Sequence, residues 1–175
     1  MLTTHVATPQ HCNPSTSSTP RCPRAAGWGI IRSVCHFGDP RTHRSNPAGP
    51  LTTINDAKLC LDNWHSSWER HFFGPWAIVS KSDLTHIIGF GGLSHRNLGA
   101  DRRINLGYRF AYESWGKGLA TQFCRLAIDF GFDVLKFDEI FASVRKNHAA
   151  PRHVLDKAGI QPNAELADSP QDAGY

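Results

Sequence analysis

The sequence predicts an α/β (α+β) fold, a sheet with helices packed on it, and three observations carry that reading. Large apolar residues recur at helical spacing after residue 53, short strand-like segments follow between residues 76 and 110, and a glycine-rich turn then feeds a second amphipathic helix. A length of 175 residues suits one hydrophobic core.

Each element has its own signal. The T-x-x-D run from Thr53 to Asp56 is a capping box ahead of Ala57, Leu61, Trp64, Trp68 and Phe72, which places a helix over residues 55 to 72 with these side chains as its core stripe. Gly74-Pro75 ends it. WAIVS (76 to 80), a Lys-Ser-Asp turn and HIIGFGGL (86 to 93) read as a hairpin. In RINLGYRF (103 to 110), Ile104, Leu106, Tyr108 and Phe110 alternate with polar or small residues, the mark of a half-buried strand. Gly116 and Gly118 then precede Leu119, Phe123, Leu126, Ala127 and Phe130, an amphipathic helix of about four turns. EIFASV (139 to 144) reads as a strand, and a last helix runs from Ala149 to Ala158. Pro151 is tolerated in its first turn, and Gly159 ends it.

Composition bounds the function. Five of the 19 Lys and Arg residues but only one of the 15 acids fall within residues 1 to 50, so the remainder carries 14 of each and is neutral. A nucleic-acid-reading surface would need basic residues clustered on the folded part, so no nucleic-acid partner is expected. No apolar run reaches the length of a membrane span, and five cysteines at irregular spacing without a C-x-x-C pair give neither a disulfide framework nor a metal site. A cytoplasmic protein with no membrane partner and no metal is the expectation. Residues 1 to 34 are rich in Pro, Ser, Thr and Arg and hold no acid, which reads as a disordered or non-native extension in which only residues 28 to 34 suit a strand. Residues 169 to 175 read as a tail.

The glycine turn carries the chemistry. A strand running into W-G-K-G-L-A and a helix gathers main-chain N–H groups and the positive end of the helix dipole around one point, which favours a phosphate or pyrophosphate. The turn lacks both the G-K-[S/T] of a P-loop and G-x-G-x-x-G, and a plain tight connection explains such a turn equally well.

The stretches DPRTHRSNPAGP (39 to 50), FGPWAIV (73 to 79), IIGFGGL (87 to 93), INLGYRFAYESWGKGLAT (104 to 121) and VLDKAGI (154 to 160) together resemble a GNAT-family N-acetyltransferase, closest to the subgroup that acetylates N-termini of ribosomal proteins. The resemblance covers residues 35 to 168 as one domain. It implies a mixed, mostly antiparallel central sheet with helices on both faces, here lacking regular first and last strands, and acetyl-CoA as cosubstrate. By motif position, Trp115, Gly116, Lys117, Gly118, Leu119, Ala120 and Thr121 would cradle the pyrophosphate, Leu106, Gly107 and Tyr108 would meet the pantetheine arm, and Asn147 or His148 would stand at the family's helix Asn. The general acid Tyr of many relatives falls on Leu155. The implied reaction is direct attack of a primary amine, from a protein N-terminus or a small molecule, on the thioester.

Glu113 matches the subgroup's acid before the Trp and is the candidate base, although a solvated acid near a helix start has the same appearance. His95 and Glu69 are alternatives. Arg145, Lys146 and Arg152 read as candidates for the 3′-phosphate or as solvated charges. A homodimer is left open, and the competing reading is a truncated, catalytically silent GNAT domain that binds coenzyme A or a protein partner.

Overall fold

Two short elements, β1 (His5–Val6) and α1 (Pro40–His43), precede the long helix α2 (Ile54–His71) in the computed structural model, which describes residues 5–6, 40–43, 53–98, 100–144 and 148–162. The capping box forms: the Thr53 hydroxyl accepts from the Asp56 amide at 3.1 Å, and the Asp56 carboxylate accepts from the Thr53 amide at 3.0 Å. Two donors that a helix start leaves without partners are thereby satisfied.

Three strands follow, β2 (Pro75–Ser80), β3 (Asp83–Leu98) and β4 (Asp101–Phe110). They form a sheet in the order β1-β2-β3-β4, with every neighbouring pair antiparallel. β3 continues beyond the predicted end at residue 93 because it zips against β4 without interruption from Gly89↔Phe110 to Leu98↔Asp101. The polar run from Ser94 to Asn97 gave no alternation that would have revealed this. A two-residue first strand comes from His5–Val6, paired with Val79 and Ile78, within a leader expected to hold no structure before residue 28. The strand expected over 28 to 34 lies outside the described residues.

Helices cover both faces. On one face α3 (Leu119–Asp129), its π-helical extension Phe130–Val134 and α4 (Ala149–Ala158) pack on Ile78, Leu93, Leu106 and Phe110. On the other face α2 sets Ala57, Leu61 and Trp64 against Phe90, with the Trp64 and Phe90 ring centroids 5.1 Å apart. Arg125 donates to the Lys157 carbonyl at 2.6 Å, placing a cation at the C-terminal end of α4 and tying it to α3.

Two expectations are corrected. The strand over 139 to 144 is reduced to a single parallel bridge, Asn105↔Phe141. Its apolar run reports burial instead, since Ile140, Ala142 and Val144 pack on the main core without a ladder. Phe72 does not complete the core stripe of α2. It is the C-cap residue, with φ 63° and 76% exposure, and that left-handed turn hands the buried position to Phe73.

Phe123 is the centre of the larger core. It is fully buried, and its ring lies edge-on to Trp76 at 5.8 Å and to Phe110 at 6.3 Å. Gly91 faces it without a side chain because a Cβ there would come within 2.5 Å of that ring. Phe123→Ala is expected to lower unfolding free energy by about 3–5 kcal/mol, read from urea denaturation. A loss under 1 kcal/mol would show that this cluster does not hold the two layers together.

Candidate active site

The site begins where β4 acquires and then loses a second neighbour. Leu106 donates its amide to the Phe141 carbonyl at 2.8 Å, and Phe141 donates its own amide to the Ile104 carbonyl at 2.9 Å. Beyond that bridge Ala142, Ser143 and Val144 form no ladder with β4. Main-chain groups of a strand alternate in direction with a period of two, so the Tyr108 amide and carbonyl face the same side as those of Leu106. The C-terminal half of β4 therefore turns its polar edge towards the diverging chain.

At the far end of that edge the chain makes a tight turn, Tyr112–Ser114, and reaches Trp115. The Trp115 indole N–H donates to the Phe110 carbonyl at 3.0 Å, and its amide donates to the Tyr112 carbonyl at 3.1 Å. The glycine turn is thus fastened to the strand it follows. Gly116 and Gly118 adopt φ 72° and 74°, where glycine is the residue that fits without strain, and a Cβ at either position would meet nothing within 4 Å. Conformation, not crowding, requires the glycines, and the space beside them is open.

α3 starts on Gly118 with no side-chain cap. Its first main-chain bond runs from the Gln122 amide to the Gly118 carbonyl at 3.1 Å, so the amides of Leu119, Ala120 and Thr121 project from the helix start without intrahelical acceptors. Leu119 is buried in the core and fixes this end, while Lys117 is exposed beside it. Projecting amides, a helix dipole, a lysine and two left-handed glycines with free space beside them fit an anionic diphosphate.

The remaining candidates occupy distinct places. Glu113 is exposed in the turn, 3.6 Å from Arg41, whose guanidinium also lies 4.0 Å from the centre of the Tyr112 ring. Glu69 is exposed on α2, paired with His65 at 3.2 Å. His95 lies on β3 with its ring 4.8 Å from His71 and 5.1 Å from Phe73, on the α3 side of the sheet. Burial, helped by the nearby charges of Arg102 and His71, holds its imidazole below the ordinary histidine range. His148 is the N-cap residue of α4 and Arg152 lies on that helix. Asn147, Arg145 and Lys146 fall outside the described residues. Trp64 and Trp68 are core residues, as their spacing predicts. Burial pushes the Cys124 thiol up to about 12, which leaves it an inert core group.

Sequence reasoning missed Asn105. It stands at the bridge to Phe141, 2% exposed, with a side-chain carbonyl that has no hydrogen-bond partner. As the polar member of an alternating strand it read as solvent-facing, and nothing in the local pattern signalled its burial.

An antiparallel sheet covered on both faces, bridged once at its edge by Phe141 and followed by a glycine turn that feeds a helix, defines an α/β domain with a candidate anion site at that helix start. The family model described as "Acetyltransferase (GNAT) domain" matches residues 31–161, and the chain belongs to the GNAT acetyltransferase family. Spermidine N(1)-acetyltransferase of Escherichia coli is 35% identical over 65 residues, covering 37% of this chain and 35% of that one. Among solved structures, the ribosomal-protein-S5-alanine acetyltransferase of Vibrio fischeri superposes with TM-score 0.63 at 20% identity, covering 76% of this chain and 74% of that one. Spermidine N-acetyltransferase of Vibrio cholerae, in complex with CoA and spermine, superposes with TM-score 0.58 at 16% identity, covering 75% of each chain. The chain spans 57% and 64% of the lengths of two Bacillus subtilis relatives, YkkB and YoaA. No helix among the described residues is long and apolar enough to cross a membrane.

The His95 environment gives a pH test. The native imidazole resists protonation, so as pH falls through the unfolded value of about 6.5 the unfolded chain binds a proton that the native state does not. Stability is complete above that value and declines below it. Melting temperatures measured from pH 7.5 to pH 5 are expected to fall less in His95→Gln than in the unchanged protein. Equal declines would remove His95 from the linkage.

Proposed function

We propose that this chain is an acetyl-CoA-dependent N-acetyltransferase acting on a primary amine by direct attack. The observation that carries the reading is the uncapped glycine turn at the head of α3, set at the end of the β4 edge that Ala142–Val144 leave without a ladder. A cradle of amides for a diphosphate and a polar strand edge for an amide-bearing arm lie in line along one strand.

The residues divide the work by chemistry. Amides from Gly116 to Thr121, with Lys117, would hold the pyrophosphate, and Trp115 fixes the turn through its bond to Phe110. The β4 segment Leu106, Gly107 and Tyr108 would receive the pantetheine arm, with the Leu106 carbonyl and the Tyr108 main chain on its outer edge and Gly107, whose main chain faces β3, leaving the surface beside them low. A β4 N–H on that edge would face the developing oxyanion. His148, the N-cap residue of α4, would flank the arm, and by motif position Asn147 would do so with it. Bound acetyl-CoA supplies an activated acyl group and a thiol leaving group. Glu113 is the candidate base by motif position but stands at the diphosphate end of the β4 edge, so removal of the ammonium proton is assigned to water.

For the acceptor, a primary amine of a protein N-terminus or a small molecule is proposed. On the α2 side of β4, Arg103 lies 3.6 Å from both Asp101 and Glu139, so charge there does not choose between a monoamine and a polyamine. The name of the Vibrio fischeri neighbour supports the ribosomal-protein subgroup, while the spermidine acetyltransferases point the other way. A cytoplasmic setting belongs to the same proposal, with Cys60 and Cys124 both free thiols.

Acetyl-CoA at 100 times its dissociation constant should stabilise the fold by about 2.7 kcal/mol, and thiol release should require an amine. Gly118→Glu places a charged side chain in the diphosphate space and is expected to weaken coenzyme A binding at least about 100-fold by calorimetry. Unchanged affinity in that variant would take the turn out of the site.

A further inference from the structure

We infer that Arg102, His71 and His95 form a second anion site, apart from the glycine turn, which takes a phosphate-like dianion between three nitrogen-bearing side chains. The inference uses no residue of the coenzyme A site and does not depend on the acetyltransferase reading.

Convergence is the first observation. The three residues come from three elements: His71 ends α2, His95 lies on β3 and Arg102 lies on β4. The Arg102 guanidinium is 3.5 Å from His71 Nε2, and the His71 ring meets the His95 ring edge-on at 4.8 Å. By strand alternation Arg102 shares the α3 side of the sheet with Ile104, the residue opposite His95. The Phe73 ring, 5.1 Å from His95 and 5.1 Å from Phe137, bounds the cluster with apolar surface.

The cluster gathers positive charge without a carboxylate. Glu69 on α2 pairs with His65, and Asp101 and Glu139 both lie 3.6 Å from Arg103, on the opposite face of β4. Among the described residues no acid comes within ion-pair distance of Arg102. The groups that face His95 are His71 from α2 and Arg102 from β4, both basic, while Phe73 presents only a ring. The C-terminal end of α2 offsets part of this charge through its dipole but supplies no anion. His95 Nδ1 is closed to solvent and has no hydrogen-bond partner, so no protein group fixes the tautomer and Nε2 is left to meet a ligand.

The donor set suits an oxyanion. Arg102 offers a planar fork of N–H groups, and the two imidazoles add donors from other directions, an arrangement that a tetrahedral dianion can bridge. A metal cation would meet the guanidinium as a like charge. Burial, with Arg102 and His71 beside it, makes the His95 ring resist a proton. An anion set between these groups turns their repulsion into attraction, so anion and proton bind together and affinity rises as pH falls through the imidazole range. From Arg102 to Phe110 β4 covers about 26 Å at the usual rise per residue, so one ion cannot serve both this cluster and the turn. A bound dianion would tie the end of α2 to the β3–β4 hairpin.

The test uses the full chain with labelled histidine rings, and inorganic sulfate as the probe because its charge is constant between pH 5.5 and pH 8. Sodium chloride holds the ionic strength fixed. Sulfate is expected to shift the ring signals of His71 and His95 along one saturating curve, with affinity at least about tenfold higher at pH 5.5 than at pH 8. The same curve is expected in Gly118→Glu, which fills the diphosphate space. Arg102→Gln is expected to weaken sulfate binding at least about tenfold. The pH comparison in the unchanged protein carries the test if that variant fails to fold. Glycerol 3-phosphate at pH 7 separates the sources of the anion: tighter binding than sulfate assigns the site to a small phosphomonoester, and equal or weaker binding assigns it to a free ion. Shifts that do not saturate, signals lost in Gly118→Glu, full affinity in Arg102→Gln or an affinity independent of pH overturns the inference.

Discussion

The two hydrogen bonds that Phe141 makes to β4 decide what the rest of the molecule can do. They clamp the returning chain to Ile104 and Leu106. Ala142, Ser143 and Val144 do not continue that ladder, so the edge of β4 beyond Leu106 is not closed by a regular strand from these residues. The departure is stable because Ile140, Ala142 and Val144 are held by burial against the α3 side of the sheet. Apolar packing places the segment, and main-chain pairing does not have to.

The glycine turn depends on the same strand. Trp115 returns an indole N–H to the last carbonyl of β4, and Leu119 sinks into the core three residues beyond Gly116. Between these anchors the backbone passes twice through the left-handed region, so the open side of the turn presents amides rather than side chains. A helix start without a capping side chain is costly in isolation. In the proposed function that vacancy is what an anionic ligand fills, and the fold carries the cost in its free state as preorganisation.

Much of this was legible in the sequence, and the failures share a cause. The helix over 55 to 72, the three antiparallel strands, the glycine turn and the last helix all follow from local period and cap residues, which act within a few positions and leave a mark there. The reach of β3 to Leu98 was hidden because its last residues are ordered by pairing with β4 and not by burying an apolar face. The segment around Phe141 was read as a strand because a short run of apolar and β-branched residues looks the same whether it is buried or paired. Phe72 and Phe73 exchanged places because one left-handed residue resets the helical phase. Asn105 was invisible for the opposite reason, since a polar residue between Ile104 and Leu106 normally marks the wet face. The candidate residues from Trp115 to Thr121 stood out because a glycine-led helix start is a local property, and the structure shows that start without a capping side chain.

Hydrogen exchange resolved to single amides, with and without coenzyme A, tests the central claim most directly. The account predicts slowed exchange at Tyr108 and from Gly116 to Thr121 when coenzyme A binds, with the amides of α2 and β2 unchanged. Saturating binding that leaves those amides exchanging as before, or protection confined to other parts of the chain, would contradict it.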